Sequence, residues 1–518
     1  MKITTIRVVL ALASIHCWPL QQLDVNNAFL HGDLSENVYM NVPPGVSTSR
    51  PNQCCKLLKS IYSLKQAIRQ WYEKLSLFLI SCGYQQAPFD HSLFIKTITS
   101  AFTALIVYVD DIVLIGNSPS EMATIKHTLA SHFRIKDLGP LKYFLGFEVA
   151  HSNIGISLCQ RKYCLDLLTD SGLLGANPSS TLMDSALRLH HDLTNLLPNA
   201  FSYRRLVGRL IYFTTTRPDI SYDTQQLSQF MSNPIQAHFC AARHILKYLK
   251  RSPGCNLLFS RDSPLHGYSD SDWAGCVDTR SITGYCFHFG TSLISWKTKK
   301  QPTVSHFSSE AEYRALASTT CELQWLTYLL NDRHVVCLKS PIIFCDSQSE
   351  LHIAANPIFH EHTKYLDIDC HLVCEKSQFG LMRLLPISYH NQITNIFTKA
   401  LPPMTFQALL SKLGLVDIFQ PSTCVGGGAN DINSQAKQKT KETLPEDKRG
   451  ITRRQKRERR HYLTVFFGII YQPLIMLVQG CIVCNFCPFV ELYNVYVPTF
   501  CFFNLWCIYI LPLAPLRI

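Results

Sequence analysis

Residues Thr103 to Gly116 read TALIVYVDDIVLIG, two β-rich apolar runs that meet at Asp110-Asp111. The pattern is a β-hairpin with paired acids at its turn. Both flanks are apolar without interruption, so the two strands are expected to be buried. Adjacent carboxylates beside a dry strand pair repel each other and take up protons unless a cation holds them ionised. A divalent metal is the partner this implies. A solvated Asp-Asp turn is the plain alternative for YVDD alone, and Asp24 shifts the balance. It stands in LDVNNAFLHGDL, at the close of another apolar stretch and five positions before Phe29. A third acid lets two Mg²⁺ ions be clamped for an in-line displacement at phosphorus.

The chain around this hairpin has 518 residues, 47% hydrophobic and 17% charged, which excludes disorder as a whole and allows about three domains. Its formal net charge is +12, and the stretch from Cys424 to Ile518 supplies half of it. The balance fits local nucleic-acid-binding patches and fits ordinary enzymes as well. Twenty-one cysteines, an odd number without regular spacing, argue for a reduced interior over a disulfide framework. Lys2 and Arg7 precede the short apolar run Val8 to Ala13, which reads as an amphipathic helix and not as a secretory signal. The chain is expected in the cytoplasm or the nucleus and not outside the cell.

A second set of acids follows His266. HGYSDSDWAG places Asp270 at the end of a strand, and SSEAEYRALASTTCELQWLTYLL places Glu310 at the start of a helix capped by Ser308 or Ser309. PIIFCDSQSELHIAANP places Asp346 after an apolar run, and HTKYLDID places Asp367 in a loop or at a helix start. Acids in those four settings can converge on one edge of a mixed sheet, hold two metals and hydrolyse a phosphodiester. Asp272 and Glu312 are flanking acids that compete for the first two assignments. Between the two sets, Tyr203 to Arg251 carries Arg204, Arg205, Arg209, Arg243, Lys247, Lys250 and Arg251 on expected helices, a basic surface suited to phosphates.

The segments LDVNNAFLHGDLSENVYM, SIYSLKQAIRQWY, LIVYVDDIVLIGN and DLGPLKYFLGFEV resemble, in order and spacing, the reverse transcriptase of copia-type LTR retrotransposons. The stretch from Leu265 to Pro403 resembles the ribonuclease H domain of the same elements. The resemblance implies an α+β chain: a polymerase palm-like domain at 1–175 with the fingers largely missing and a helical thumb or connection at 176–261. A ribonuclease H-like mixed-sheet α/β domain at 262–403 follows, and the family resemblance ends over 404–423. It implies Asp24, Asp110 and Asp111 as polymerase metal ligands, Phe29 as the screen against a sugar 2′-hydroxyl, and Lys65, Gln66 and Tyr108 as nucleotide and template contacts. Asp270, Glu310, Asp346 and Asp367 become the nuclease ligands, with Mg²⁺ as a pair at each site and Mn²⁺ as a substitute. Implied partners are an RNA or DNA template-primer, RNA/DNA hybrid and deoxynucleoside triphosphates. The alternative is a truncated remnant that binds nucleic acid without turnover.

The chain departs from the family pattern at Ser63 and Ile68, where Gly and Pro are usual, and at Tyr365, Asp369 and Cys374, where His, Arg and Arg are usual. Residues 424–518 fall outside the resemblance. A basic run at Arg453 to Arg460 is followed by a stretch in which Glu491 is the single formal charge before Arg517. This tail is open to three readings: a membrane anchor, a basic nucleic-acid or import arm, or translated non-coding sequence without a fold.

Overall fold

A helix that is apolar on every side is buried on every side, and the first helix illustrates it. In the computed structural model, which describes residues 2–46, 53–183, 189–192, 194–261, 264–331, 340–356 and 367–417, α1 (Ile3–Ile15) buries Thr5 through Ser14. The expectation of an amphipathic helix is thereby corrected, because Val8 to Ala13 leave no polar face. The one charged side chain inside it, Arg7, donates to the carbonyls of Thr215 at 2.7 Å and Ile294 at 3.3 Å and lies 3.6 Å over the Trp296 ring. Burial pulls its guanidinium down to about 9.

Strand β1 (Leu20–Val25) follows, then a separate hairpin of β2 (Asp33–Asn41) and β3 (Cys54–Lys59), then α2 (Ala67–Ser81). Strands β4 (Gln85–Gln86), β5 (Leu93–Ile98), β6 (Ala101–Tyr108) and β7 (Asp111–Gly116) lead through α3 (Pro119–His132) to β8 (Ile135–Pro140). The first sheet has the order β4-β5-β6-β7-β1-β8 and is antiparallel throughout. Alternation along its strands sends Leu105, Val107, Ile112 and Leu114 toward Trp71, Leu75, Ile125 and Leu129 of α2 and α3. The intervening Ile106, Val113 and Ile115 meet Ile6, Val9 and Leu10 of α1. Helices on both faces explain why the TALIVYVDDIVLIG strands read as continuous apolar runs and do not alternate with polar residues. Ser118 caps α3 by accepting from the Glu121 amide at 3.3 Å, with Pro119 in the first turn.

The middle of the chain comprises β9 (Tyr143–Phe144), β10 (Phe147–Ser152), β11 (Gly155–Cys159), α4 (Arg161–Asp170), α5 (Ala200–Phe213), α6 (Ser221–Ser228), α7 (Gln236–Arg251) and β12 (Cys255–Phe259). Beyond it lie β13 (Leu265–Asp272), β14 (Ile282–Phe289), β15 (Ser292–Lys300), α8 (Ser308–Asn331), β16 (Ile342–Cys345), α9 (Gln348–Ala355), α10 (Asp367–Gln378) and β17 (Arg383–Pro386). The short α11 (Asn395–Thr398), α12 (Pro403–Leu410) and β18 (Leu415–Asp417) complete the described chain.

A second antiparallel sheet, β18-β12-β11-β10-β9, gathers strands from three distant segments. At Gly155, with φ +147°, a Cβ would stand 1.9 Å from the Phe259 carbonyl oxygen, so no larger residue fits where β11 meets β12. The third sheet, β15-β14-β13-β16-β17, is mixed: β13, β14 and β15 are antiparallel, while β16 and β17 run parallel to β13. Leu316, Leu323 and Leu330 of α8 are buried, as their seven-residue spacing anticipates. No described helix is long and apolar enough to cross a membrane, and the tail from Cys424 onward lies outside the described residues.

Candidate active sites

The first site is made by strand register. β1 and β7 pair so that Asp24 stands opposite Asp111, and the Val25 amide donates to the Asp110 carbonyl at 2.9 Å. Side chains directly opposite on antiparallel strands start about 5 Å apart, which brings Asp24, Asp110 and Asp111 to one sheet end. The turn between β6 and β7 needs Val109 at φ +55°, and the Trp71 indole of α2 fixes it by donating to the Val109 carbonyl at 2.6 Å. Gln22 donates to Asp111 Oδ1 at 3.1 Å. Burial pushes the Asp111 carboxyl up to about 6, opposed by the Gln22 hydrogen bond and reinforced by Asp110 and Asp24. Burial also raises Asp24, with Lys136 opposing, and raises Asp110. Burial lifts the half-buried Tyr108 hydroxyl in turn, and the neighbouring Asp110 and Asp111 charges add to it. Crowded carboxylates that resist ionisation are what a divalent cation relieves.

Phe29 sits in a 3-10 turn directly after β1, buried, with its ring edge-on to Tyr62 at 4.5 Å between centroids. Ser60 donates its hydroxyl to the Phe29 carbonyl, so the Phe29 turn and the loop before α2 are tied together. Lys65 on that loop is exposed, and Gln66 reaches Glu36 Oε2 at 3.5 Å. Ile68 lies exposed in the first turn of α2, a position where proline costs a helix little. Ser63 has φ +79°, the left-handed region that favours glycine. Ser63→Gly is therefore expected to raise stability by about 1 kcal/mol, read as a higher urea midpoint. A fall would show that the serine side chain makes a compensating interaction.

The second site is set by the parallel pairing of β13 with β16. Ser269 registers with Cys345, so Asp270 and Asp346 emerge next to each other at the C-terminal ends of adjacent strands. Glu312 of α8 completes the group: one carboxylate oxygen from each of Asp270, Glu312 and Asp346 lies within 4.8 Å of the others. Ser271 donates its amide to Glu312 Oε2 at 2.9 Å, and Gln392 bridges the Ser269 carbonyl at 2.9 Å and Asp346 Oδ1 at 3.3 Å. Thr398 donates to Asp270 Oδ2, and Lys399 Nζ stands 3.1 Å from Asp270 Oδ1. Burial, with Asp270 and Asp346 alongside, holds Glu312 well above the usual carboxylate range. Glu350 of α9 is fully buried, with neither carboxylate oxygen bonded, and burial with Asp346 beside it pushes it up to about 7. Three convergent carboxylates, two of them raised by burial and mutual repulsion, suit a hard divalent cation.

The structure does not bring Glu310 into this group. Its Oε1 takes the Arg314 guanidinium at 2.6 Å and its Oε2 accepts the His306 amide at 2.7 Å, so it clamps the loop before α8. The helical period gives the reason: Glu312 precedes the core residue Leu316 by four positions and shares its face, whereas Glu310 precedes Leu316 by six and does not. Asp367 opens α10, and its side chain lies outside the described residues. Asp272 lies over Gly275, where a side chain at that glycine would otherwise stand. Gln392, Thr398 and Lys399 carried no motif in the sequence that would have marked them.

The family model described as "Reverse transcriptase (RNA-dependent DNA polymerase)" matches residues 1–185. The Retrovirus-related Pol polyprotein from transposon RE1 of Arabidopsis thaliana is 40% identical over 421 residues, covering 80% of this chain and 29% of that protein. Its counterpart from transposon TNT 1-94 of Nicotiana tabacum is 35% identical over 427 residues, 80% of this chain and 32% of that one. The chain belongs to the reverse transcriptase family of copia-type transposon Pol polyproteins. It spans about a third or less of the length of these curated relatives. Among solved structures, a foamy viral protease-reverse transcriptase in complex with double-stranded DNA aligns with a TM-score of 0.41 and 11% identity, over 74% of this chain and 59% of that one.

Reverse transcriptases use divalent metal ions, and the raised carboxylates of both sites are chemically suited to them. The basic helices of the middle segment are partly spent on their own fold. Arg204 donates to the Met231 and Ser232 carbonyls, Arg209 pairs with Asp170 at 2.7 Å, and Lys250 donates to the Leu174 and Ala176 carbonyls. Arg205 remains largely exposed, 3.8 Å from Asp170.

Proposed function

We propose that the chain extends a DNA primer on an RNA or DNA template at Asp24, Asp110 and Asp111, and cuts the RNA strand of an RNA/DNA hybrid at Asp270, Glu312 and Asp346. Mg²⁺ is the cofactor at each site. Family membership supports the polymerase half. The observation that carries the nuclease half is the convergence of three carboxylates within 4.8 Å at the ends of β13, β16 and α8.

In the polymerase site, Gln22 holds Asp111 in place, Trp71 fixes the turn that aims Asp110, and Phe29 lines the approach of the nucleotide sugar. Lys65, Gln66 and Tyr108 contact the deoxynucleoside triphosphate and the template. In the nuclease site, Gln392 and the Ser271 amide hold Asp346 and Glu312 in register. A bound divalent ion supplies a nucleophile at neutral pH and stabilises charge at phosphorus.

One incubation tests both halves: a labelled RNA template annealed to a DNA primer, with deoxynucleotides and Mg²⁺. The expected result is primer extension that is lost in Asp110→Asn and RNA shortening that is lost in Asp346→Asn. The second reading, a nucleic-acid-binding remnant without turnover, is favoured by the left-handed backbone at Ser63 beside the nucleotide-contact loop. It predicts retention of the hybrid with neither product.

A further inference from the structure

The sheet end that carries Asp270 also carries side chains that the carboxylate group does not use. Across β13, β14 and β15 the register there runs Asp272, Ile282, Lys300, and Gln301 then begins the loop that leads into α8. The loop is pinned from several directions. Gln301 is buried, donates to Thr283 Oγ1 at 3.1 Å and to the Ala311 carbonyl at 2.8 Å, and accepts from the Ser305 hydroxyl at 3.1 Å. Arg314 donates to Thr303 Oγ1 at 2.6 Å and to Ser305 Oγ at 3.2 Å. From the end of β13, the Trp273 indole donates to the Ser305 carbonyl at 3.0 Å.

A loop anchored at Gln301, Thr303 and Ser305 leaves the residues between and beyond those anchors in solvent. Val304 is 48% exposed and Phe307 71%, while Trp273, docked on the same loop, is 49% exposed. Apolar residues exposed singly are ordinary, but two aromatic rings and a valine grouped on one rigid loop mark a binding surface. Trp273 follows Asp270 by three positions and Phe307 precedes Glu312 by five, so this surface flanks the carboxylate group.

The neighbouring chemistry selects the partner. Three carboxylates repel a phosphate backbone, so the duplex they act on is held by other groups, and aromatic rings hold bases and sugars without touching phosphate. Cations stand at the same sheet end: Arg280 at 3.4 Å and Lys300 at 2.7 Å share the single carboxylate of Asp278, a trio with net positive charge. A hybrid with A-like geometry offers such a surface a wide, shallow minor groove, whereas that of B-form DNA is only about 6 Å wide.

We propose that Trp273, Val304 and Phe307 grip the minor groove of an RNA/DNA hybrid beside Asp270, Glu312 and Asp346. The inference deepens the nuclease reading and rests on it for the choice of duplex.

The test measures anisotropy of a labelled RNA/DNA hybrid, and of a DNA duplex of the same sequence, with the full chain carrying Asp346→Asn so that the RNA stays intact. Adding Phe307→Ser or Trp273→Ala is expected to weaken hybrid binding about tenfold each, with less than a twofold change on the DNA duplex. Phe307→Tyr, which keeps the ring, restores most of the affinity. The slope of log affinity against log salt stays that of the parent, because the rings displace no counterions. Unchanged hybrid affinity in the combined variant, an equal loss on the DNA duplex, or a shallower salt slope would overturn the proposal. RNA cutting is scored in parallel with Asp346 restored. Weakened hybrid binding by the variants of a chain that cuts nothing leaves the inference standing and removes the nuclease reading, while a cutting chain whose variants bind the hybrid as the parent does gives the reverse.

Discussion

Glu312→Gln is expected to reduce cutting of RNA in an RNA/DNA hybrid by about a thousandfold, equivalent to about 4 kcal/mol of lost transition-state stabilisation. Glu310→Gln is expected to leave cutting within about tenfold of the parent. The contrast follows from what each carboxylate touches. Glu312 lies within 4.8 Å of Asp270 and Asp346, held by the Ser271 amide. Glu310 is occupied by Arg314 and the His306 amide, away from that group, and a glutamine oxygen keeps one of the two contacts. Initial rates on a labelled hybrid at saturating Mg²⁺ decide it. The reverse ranking would show that the α8 acid has been assigned to the wrong residue.

The largest effect on stability is expected at Asp219. Arg217 is 1% exposed and depends on Asp219 through contacts of 2.9 and 2.7 Å, with the Ser252 carbonyl at 2.9 Å and the Ser252 hydroxyl at 3.5 Å as further acceptors. Tyr248 of α7 donates to the same carboxylate at 2.8 Å, so one acid locks the segment before α6 to α7 and to the turn that follows it. Asp219→Ala leaves a buried guanidinium without its counter-ion, a change that costs about 3–5 kcal/mol. Arg217→Met combined with Asp219→Leu removes both charges and is expected to recover most of that loss. Urea unfolding of the three proteins measures it, and a loss below about 1 kcal/mol for Asp219→Ala would mean that water or a rearranged neighbour replaces the carboxylate.

How far the sequence could be read depended on how local the determining forces are. The hairpin at Thr103–Gly116 was legible because strand propensity, an apolar run and a turn coincide within fourteen residues, and the two acids at its turn meet Asp24 through ordinary antiparallel register. Asp270 and Asp346 were legible for a similar reason, one near the end of a strand and the other directly after an apolar one. Choosing between Glu310 and Glu312 required helical phase, which the first turn of a helix shows poorly until a core residue such as Leu316 anchors it. Lys2 and Arg7 ahead of the apolar run read as the start of an amphipathic helix, yet Arg7 is buried and held by two carbonyls and the Trp296 ring from segments more than 200 residues away. The second sheet, assembled from residues near 150, 257 and 416, has no local signature at all. Lys399 was invisible for the same reason: its meaning lies in Asp270, far up the chain.

The central claim is that three carboxylates on β13, β16 and α8 form a working phosphodiesterase centre. The most direct measurement is cleavage of a uniformly labelled RNA strand annealed to DNA, by the full chain in Mg²⁺, set beside Asp346→Asn of equal circular dichroism and equal hybrid affinity. The account predicts RNA fragments from the parent, none from the variant, and none from either with chelator present. Intact RNA with a folded, hybrid-binding parent, or equal cutting by Asp346→Asn, would contradict it.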